Sequence, residues 1–185
     1  MENPELELAR RFVERTATSV FLTGKAGTGK TTFLRELRAR SPKRMIVLAP
    51  TGVAAINAGG VTIHSFFQLA FAPYVPELER GIAPDRPREA VRFSRQKIAI
   101  IKSIDLLVID EISMVRADVL DAVSDVLRRF RDRRKPFGGV QLLLIGDVQQ
   151  LSGRARRGVG AAADILRLSF FLRLEGAEAN RLRRY

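Results

Sequence analysis

Gly24-Lys25-Ala26-Gly27-Thr28-Gly29-Lys30-Thr31 follows the spacing G-x-x-x-x-G-K-[ST], and the chemistry this spacing serves is the holding of a polyphosphate. Glycines are needed because backbone N–H groups must turn inward and approach phosphate oxygens closely, with the positive end of a helix dipole behind them. Lys30 supplies a point charge for β- and γ-phosphates, and the Thr31 hydroxyl is suited to a Mg²⁺ ion bridging the same oxygens. Gly24, Ala26, Gly27, Thr28, Gly29, Lys30, Thr31 and Thr32 make up the expected cradle.

A second group of candidates is carboxylic. Asp110-Glu111 follows the apolar run Leu106-Leu107-Val108-Ile109, which places both acids at the carboxyl end of a buried strand, where open α/β sheets bind their ligands. Asp110 would join the Mg²⁺ shell, and Glu111 would orient or deprotonate an attacking water. Taken alone, such a pair also serves as a helix cap. Gly146-Asp147-Val148-Gln149-Gln150 ends another strand at the same edge. Gln150 could sense the γ-phosphate through its amide, and Asp147 could equally be a helix cap.

These residues need a scaffold, and the composition bounds it. The 185 residues are 46% hydrophobic and 28% charged, the range of one ordinary domain. A net charge of +12 attracts a polyanion such as nucleic acid. With no cysteine and one histidine, disulfides, thiol nucleophiles and multi-histidine metal sites are excluded. No apolar run reaches the roughly 18 residues of a membrane span, and the start MENPELELAR is acidic where a signal peptide is basic. A soluble, cytoplasmic or nucleoid-side protein is expected.

Periodicity predicts an amphipathic helix from Pro4 to about Arg15, then strand, loop and helix across Ser19–Leu37. Strands are predicted at Met45–Ala49, Leu106–Ile109 and Val140–Ile145, and a helix over Ala117–Arg131 carries Val119, Leu120, Val123, Val126, Leu127 and Phe130 on one stripe. Near-continuous apolar strands alternating with helices imply a mostly parallel sheet covered on both faces, the doubly wound α/β class. Ala70–Arg92, with Pro73, Pro76, Pro84 and Pro87, reads as an irregular excursion. Residues 153–163 show neither helical nor strand period, and no sheet strand is expected there.

Together the motifs resemble a superfamily-one DNA helicase, closest to the bacterial branch of the Pif/RecD type. GKAGTGKTT resembles its motif I, LAPTGVAA motif Ia, VTIHSF the next DNA-side motif, LLVIDEISMV motif II and GDVQQLS the start of motif III. Five motifs in order, over about residues 19–152, are far more specific than a lone phosphate loop. The resemblance implies a RecA-like P-loop NTPase fold and ATP-driven 5′-to-3′ translocation on single-stranded DNA, with Lys30, Asp110, Glu111 and Gln150 as catalytic residues. It also implies that Pro50, Thr51, Gly52, Thr62, His64, Ser65 and Phe66 face the DNA. Phe66 or Phe67 could stack on a base, and the core is the competing place for either. The basic run Arg128–Lys135 could grip phosphates or form a solvated helix face.

The pattern departs from the family after Ser152. Gly153 stands where motif III continues with proline, and no second RecA-like domain, source of the arginines that stabilise the γ-phosphate's charge, follows. The lead-in helix lacks a clear adenine-reading glutamine. The chain therefore divides into a RecA-like unit at 1–152 and a tail at 153–185. A shifted reading frame of the tail can encode strings like those of the family after motif III, so a frameshift near Ser152 and a divergent tail both stand. Sequencing the coding DNA decides between them. The tail carries eight arginines against three acids, so part of the basic balance lies outside the motif-bearing region.

Overall fold

Strands apolar at nearly every position must be covered on both faces, and the fold meets that demand with one sheet between two layers of helices. The structure is a computed structural model; it describes residues 4–25, 27–71, 93–147 and, for the backbone alone, 170–174. The strands are β1 (Val20–Gly24), β2 (Met45–Ala49), β3 (Val61–Thr62), β4 (Leu106–Ile109), β5 (Gln141–Gly146) and β6 (Phe170–Leu174). Their order is β3-β2-β4-β5-β1-β6, and every pairing is parallel. Around them lie α1 (Pro4–Arg15), α2 (Lys30–Arg40), α3 (Gly52–Ala58), α4 (Ile63–Phe67), α5 (Arg95–Ser103) and α6 (Ala117–Phe130).

Side chains alternate across a strand, and the two faces separate accordingly. Val20, Leu22, Leu106, Val108, Leu143 and Ile145 pack against Ala9 and Val13 of α1 and Phe33, Leu34 and Leu37 of α2. Phe21, Leu107, Ile109, Leu142 and Leu144 pack against α4, α5 and α6 on the other face. The α6 stripe is as expected: Leu120, Val123 and Leu127 are buried, and Val119, Val126 and Phe130 pack partly buried against them. Each such buried aliphatic or aromatic side chain contributes about 1.5–3 kcal/mol, which is what holds the short strands in register.

Two strands were not legible in the sequence: β3, whose two residues are too few to show a period, and β6. β6 pairs with β1 from Val20↔Phe170 to Gly24↔Leu174, extending the sheet from beyond position 152. Phe170-Phe171-Leu172 is apolar, but a run this short carries no period that separates strand from helix. The expectations for 153–163 and for the proline-rich excursion at 72–92 lie outside the described residues. Among the described residues no helix is long and apolar enough to cross a membrane.

The amino edge of the sheet is tied by polar groups. The Gln141 amide, 4% exposed, donates to the Thr18 carbonyl at 2.7 Å and accepts from Lys43 Nζ, which also donates to the Thr16 carbonyl at 2.7 Å. Arg44 Nε and Nη2 donate to the two Asp105 carboxylate oxygens at 2.8 and 2.9 Å, joining the starts of β2 and β4. Hydrogen bonds from Arg44 hold the Asp105 carboxyl below its ordinary value of 3.8. A lowered folded-state value means stability present above 3.8 and lost as pH falls through the lowered value. Asp105→Asn is thus expected to lower the melting temperature by a few degrees at most near neutral pH, since the pair is solvent-exposed. Thermal melts between pH 7 and pH 2 should show that deficit closing below 3.8.

Candidate nucleotide site and nucleic-acid face

The phosphate loop leaves the buried end of β1 and closes onto the first turn of α2. Gly27 and Gly29 have φ of +80° and +90°, left-handed values that a side chain resists. Gly29 is the N-cap of α2; no side chain caps it, and the first turn holds no acid. The leading N–H groups of a helix lack partners within it, so Lys30, Thr31 and Thr32 present a cradle that fits an anion. Lys30 Nζ donates to the Gly24 carbonyl at 2.6 Å and the Lys25 carbonyl at 2.8 Å, which folds the ammonium into the loop. Thr28 Oγ1 donates to the same Lys25 carbonyl at 2.9 Å. Ala26 lies outside the described residues.

Asp110 stands one residue beyond β4, fixed by its N–H donating to the Leu48 carbonyl of β2 at 2.9 Å. Its half-buried carboxyl is pushed above the ordinary value by burial. The Glu111 N–H, donating to Oδ1 at 3.0 Å, opposes that rise. The Glu111 charge adds to it, and the Lys30 charge counters it. The start of α2, with Lys30, and the residue after β4, Asp110, thus lie within electrostatic reach of each other. A carboxylate whose charge is penalised by burial is one a divalent cation stabilises. Among the described residues no group of three or more His, Cys, Asp or Glu could hold a metal by itself.

Glu111 itself has φ +52° and ψ 44°, a left-handed backbone that costs a non-glycine residue about 1–2 kcal/mol. It starts the 3₁₀ turn Ile112–Met114 and is exposed at the carboxyl edge. No feature of the sequence signals that conformation. Gln150 lies outside the described residues; Asp147, half-buried, follows β5 at the same edge.

The residues read as facing DNA gather where β2 and β3 end. Thr51 Oγ1 accepts from the Ala54 N–H at 3.2 Å and so caps α3, and Thr62 Oγ1 accepts from the Ser65 N–H at 3.3 Å and caps α4. Each hydroxyl keeps its proton for donation outward. Thr51, Gly52 and Ser65 are exposed; Pro50, Thr62 and His64 are half-buried.

Phe66 takes the competing place, the core. It is 7% exposed and Phe67 is fully buried; the two rings meet edge-to-face at 4.9 Å, and Lys97 Nζ sits 3.4 Å from the Phe66 ring centroid. A ring covered in this way has no face for a base. The aromatic that sequence reasoning missed is Phe71, 88% exposed and stacked on His64 at 4.9 Å and 14°. It lies just past the VTIHSF stretch, so the motif gave it no weight. In the basic run, Arg131 is spent on the Ile101, Lys102 and Gly138 carbonyls and Arg128 on the Arg133 carbonyl, internal ties that hold the end of α6.

The sequence pattern of the PIF1-like helicase family matches residues 7–163. An ATP-dependent DNA helicase PIF1 from Emericella nidulans is 40% identical over 149 residues, covering 76% of this chain and 19% of the relative. A Pif1 helicase from Psychrobacter is 39% identical over 150 residues, 78% and 21% of the two chains. The likeness thus reaches fungi and bacteria equally. Among solved structures, Pif1 helicases at forked double-stranded DNA superpose with a TM-score of 0.77 at 38% identity, over 94% of this chain and 43% of that one. A Bacteroides Pif1 helicase in complex with ADP-AlF3 and single-stranded DNA gives 0.75 at 36% identity, over 95% and 42%. The chain therefore spans about a fifth of these curated relatives and less than half of these solved chains. The family pattern spans the phosphate loop and the Asp110-Glu111 turn, the identities and superpositions point to the same family, and the chain belongs to the PIF1-like helicase family.

Proposed function

We propose that this chain forms the first RecA-like, ATP-binding unit of a 5′-to-3′ DNA helicase, acting on single-stranded DNA. The observation that carries the reading is that the phosphate loop, the Asp110-Glu111 turn and the Thr51 and Thr62 caps all open at the carboxyl edge of one parallel sheet. Lys30 and the N–H groups at the start of α2 hold the phosphates. Thr31 and Asp110 supply oxygens to Mg²⁺, whose chemistry is to neutralise charge between the β- and γ-phosphates. Glu111 accepts the proton of the attacking water, and Gln150 reports on the γ-phosphate.

Pro50, Thr51, Gly52, Thr62, His64 and Ser65 contact the DNA backbone, positioning without reading sequence. Phe71, rather than Phe66, offers a ring for a base. The ATPase unit is read as residues 1–152, with 153–185 contributing an edge strand to it, and its place of work is the nucleoid of a bacterial cell.

The test is steady-state ATP hydrolysis by the purified chain with and without single-stranded DNA. Slow hydrolysis, raised by DNA and without strand separation, is expected, because the family's γ-phosphate arginines come from a second domain. Hydrolysis indifferent to DNA would make this another P-loop ATPase. DNA binding without turnover, unaffected by Lys30→Ala, would make it a binding module. Vigorous unwinding by the 185-residue chain would overturn the single-domain reading.

A further inference from the structure

We propose that Gly146, the last residue of β5, is a positioning residue for Glu111, a role that rests on reading Glu111 as the base. Gly146 pairs with Thr23, directly before the phosphate loop. On its other side lies the turn that follows Glu111. A Cβ on Gly146 would stand 2.7 Å from Ile112 Cγ2 and 3.2 Å from the backbone nitrogens of Ile112 and Ser113. Neither neighbour has room to retreat, since Ile112 is 4% and Ser113 8% exposed. The turn is also stiff: the Met114 N–H donates to the Glu111 carbonyl and the Val115 N–H to the Ile112 carbonyl, both at 3.0 Å.

A methyl group at 146 therefore pushes the turn as a unit. Asp110 stays anchored to the Leu48 carbonyl, so the displacement falls on Glu111, whose left-handed backbone is the hinge between the anchored residue and the moved ones. Gly146 is thus required for the close approach of two backbones rather than for a turn of its own, and no positive φ is involved.

Gly146→Ala in the full chain is expected to lower the ATP turnover number about 10- to 100-fold, the cost of misplacing a reacting group by a fraction of an ångström to one ångström. Nucleotide affinity should stay within about 2-fold, because the cradle is made by α2. In ¹⁵N/¹³C spectra, the amide and Cα resonances of Glu111, Ile112 and Ser113 should move while those of Lys30–Phe33 stay. Adding Ile112→Ala removes the 2.7 Å Cγ2 contact and leaves only the two 3.2 Å backbone contacts, so it should move the Glu111 resonances back toward those of the unsubstituted chain and return part of the turnover. Gly146→Ala with unmoved Glu111 resonances and unchanged turnover would overturn the proposal. So would a folded double variant in which Glu111 remains fully displaced, and this second variant decides the matter if Gly146→Ala alone does not fold. If the unsubstituted chain hydrolyses no ATP, the functional reading fails, and the resonances alone still decide the positioning role.

Discussion

Lys30→Ala is expected to lower kcat/KM for ATP by at least about 10²- to 10³-fold, the usual cost of removing one preorganised charge-stabilising donor from a reacting oxygen. The effect has two parts. The ammonium that the Gly24 and Lys25 carbonyls now hold is the charge that would meet the β- and γ-oxygens, so nucleotide affinity falls directly. Lys30 also lowers the pKa of Asp110, so its loss makes that carboxyl harder to ionise and weakens the cation site at the same time. Arginine should not rescue, because a planar guanidinium does not fit where a compact point charge folds into the loop. Nucleotide binding measured directly beside steady-state hydrolysis tests this. Wild-type turnover in Lys30→Ala would reduce Lys30 to a strut that braces the loop. Affinity for single-stranded DNA should not change, since Thr51 and Thr62 lie on other elements.

Glu111→Gln separates binding from chemistry. The amide cannot accept the water's proton, and turnover should fall about 10²- to 10⁴-fold, the contribution of a positioned general base. Nucleotide affinity should be kept or rise, because the neighbouring Glu111 charge helps to raise the Asp110 pKa; removing it leaves Asp110 more readily ionised. Single-turnover hydrolysis against equilibrium binding, in the two proteins side by side, reads this split. Equal loss of both would mean that the left-handed turn has collapsed, and the Glu111 resonances described above report that independently.

The phosphate loop and the carboxylate pair were legible because each is bounded by local signals: a β-branched run that ends in glycine, and an apolar run that ends in two acids. The layered sheet was legible for the same reason, as strands buried on both faces leave no alternation to confuse. The place of Phe66 stayed open in the sequence because α4 is five residues long, too short for a period to show which side faces the core, and motif resemblance places a residue near a ligand without saying where its ring points. Phe71 was missed because it lies past the last motif residue, where no local period distinguishes an exposed ring from a buried one. Glu111's left-handed backbone and the contact between Gly146 and Ile112 are invisible in principle to a reading of one strand at a time. They arise where β4 and β5, far apart in sequence, run side by side.

That neighbourhood has a metric consequence. β1 and β4, which lead into the phosphate loop and the Asp110-Glu111 turn, do not touch; β5 lies between them. Adjacent strands are spaced at about 4.8 Å, so one intervening strand holds the loop and the carboxylates some 10 Å apart at their roots. Backbone hydrogen bonds set that gauge, and side chains do not adjust it, so substitutions in the loops can change what fills the opening but leave its width alone. A one-residue slip of β5 could not retune it either, because it would exchange the side chains that fill the two separate cores. The separation is therefore a fixed dimension of the sheet, with Asp147 emerging midway from the spacer strand.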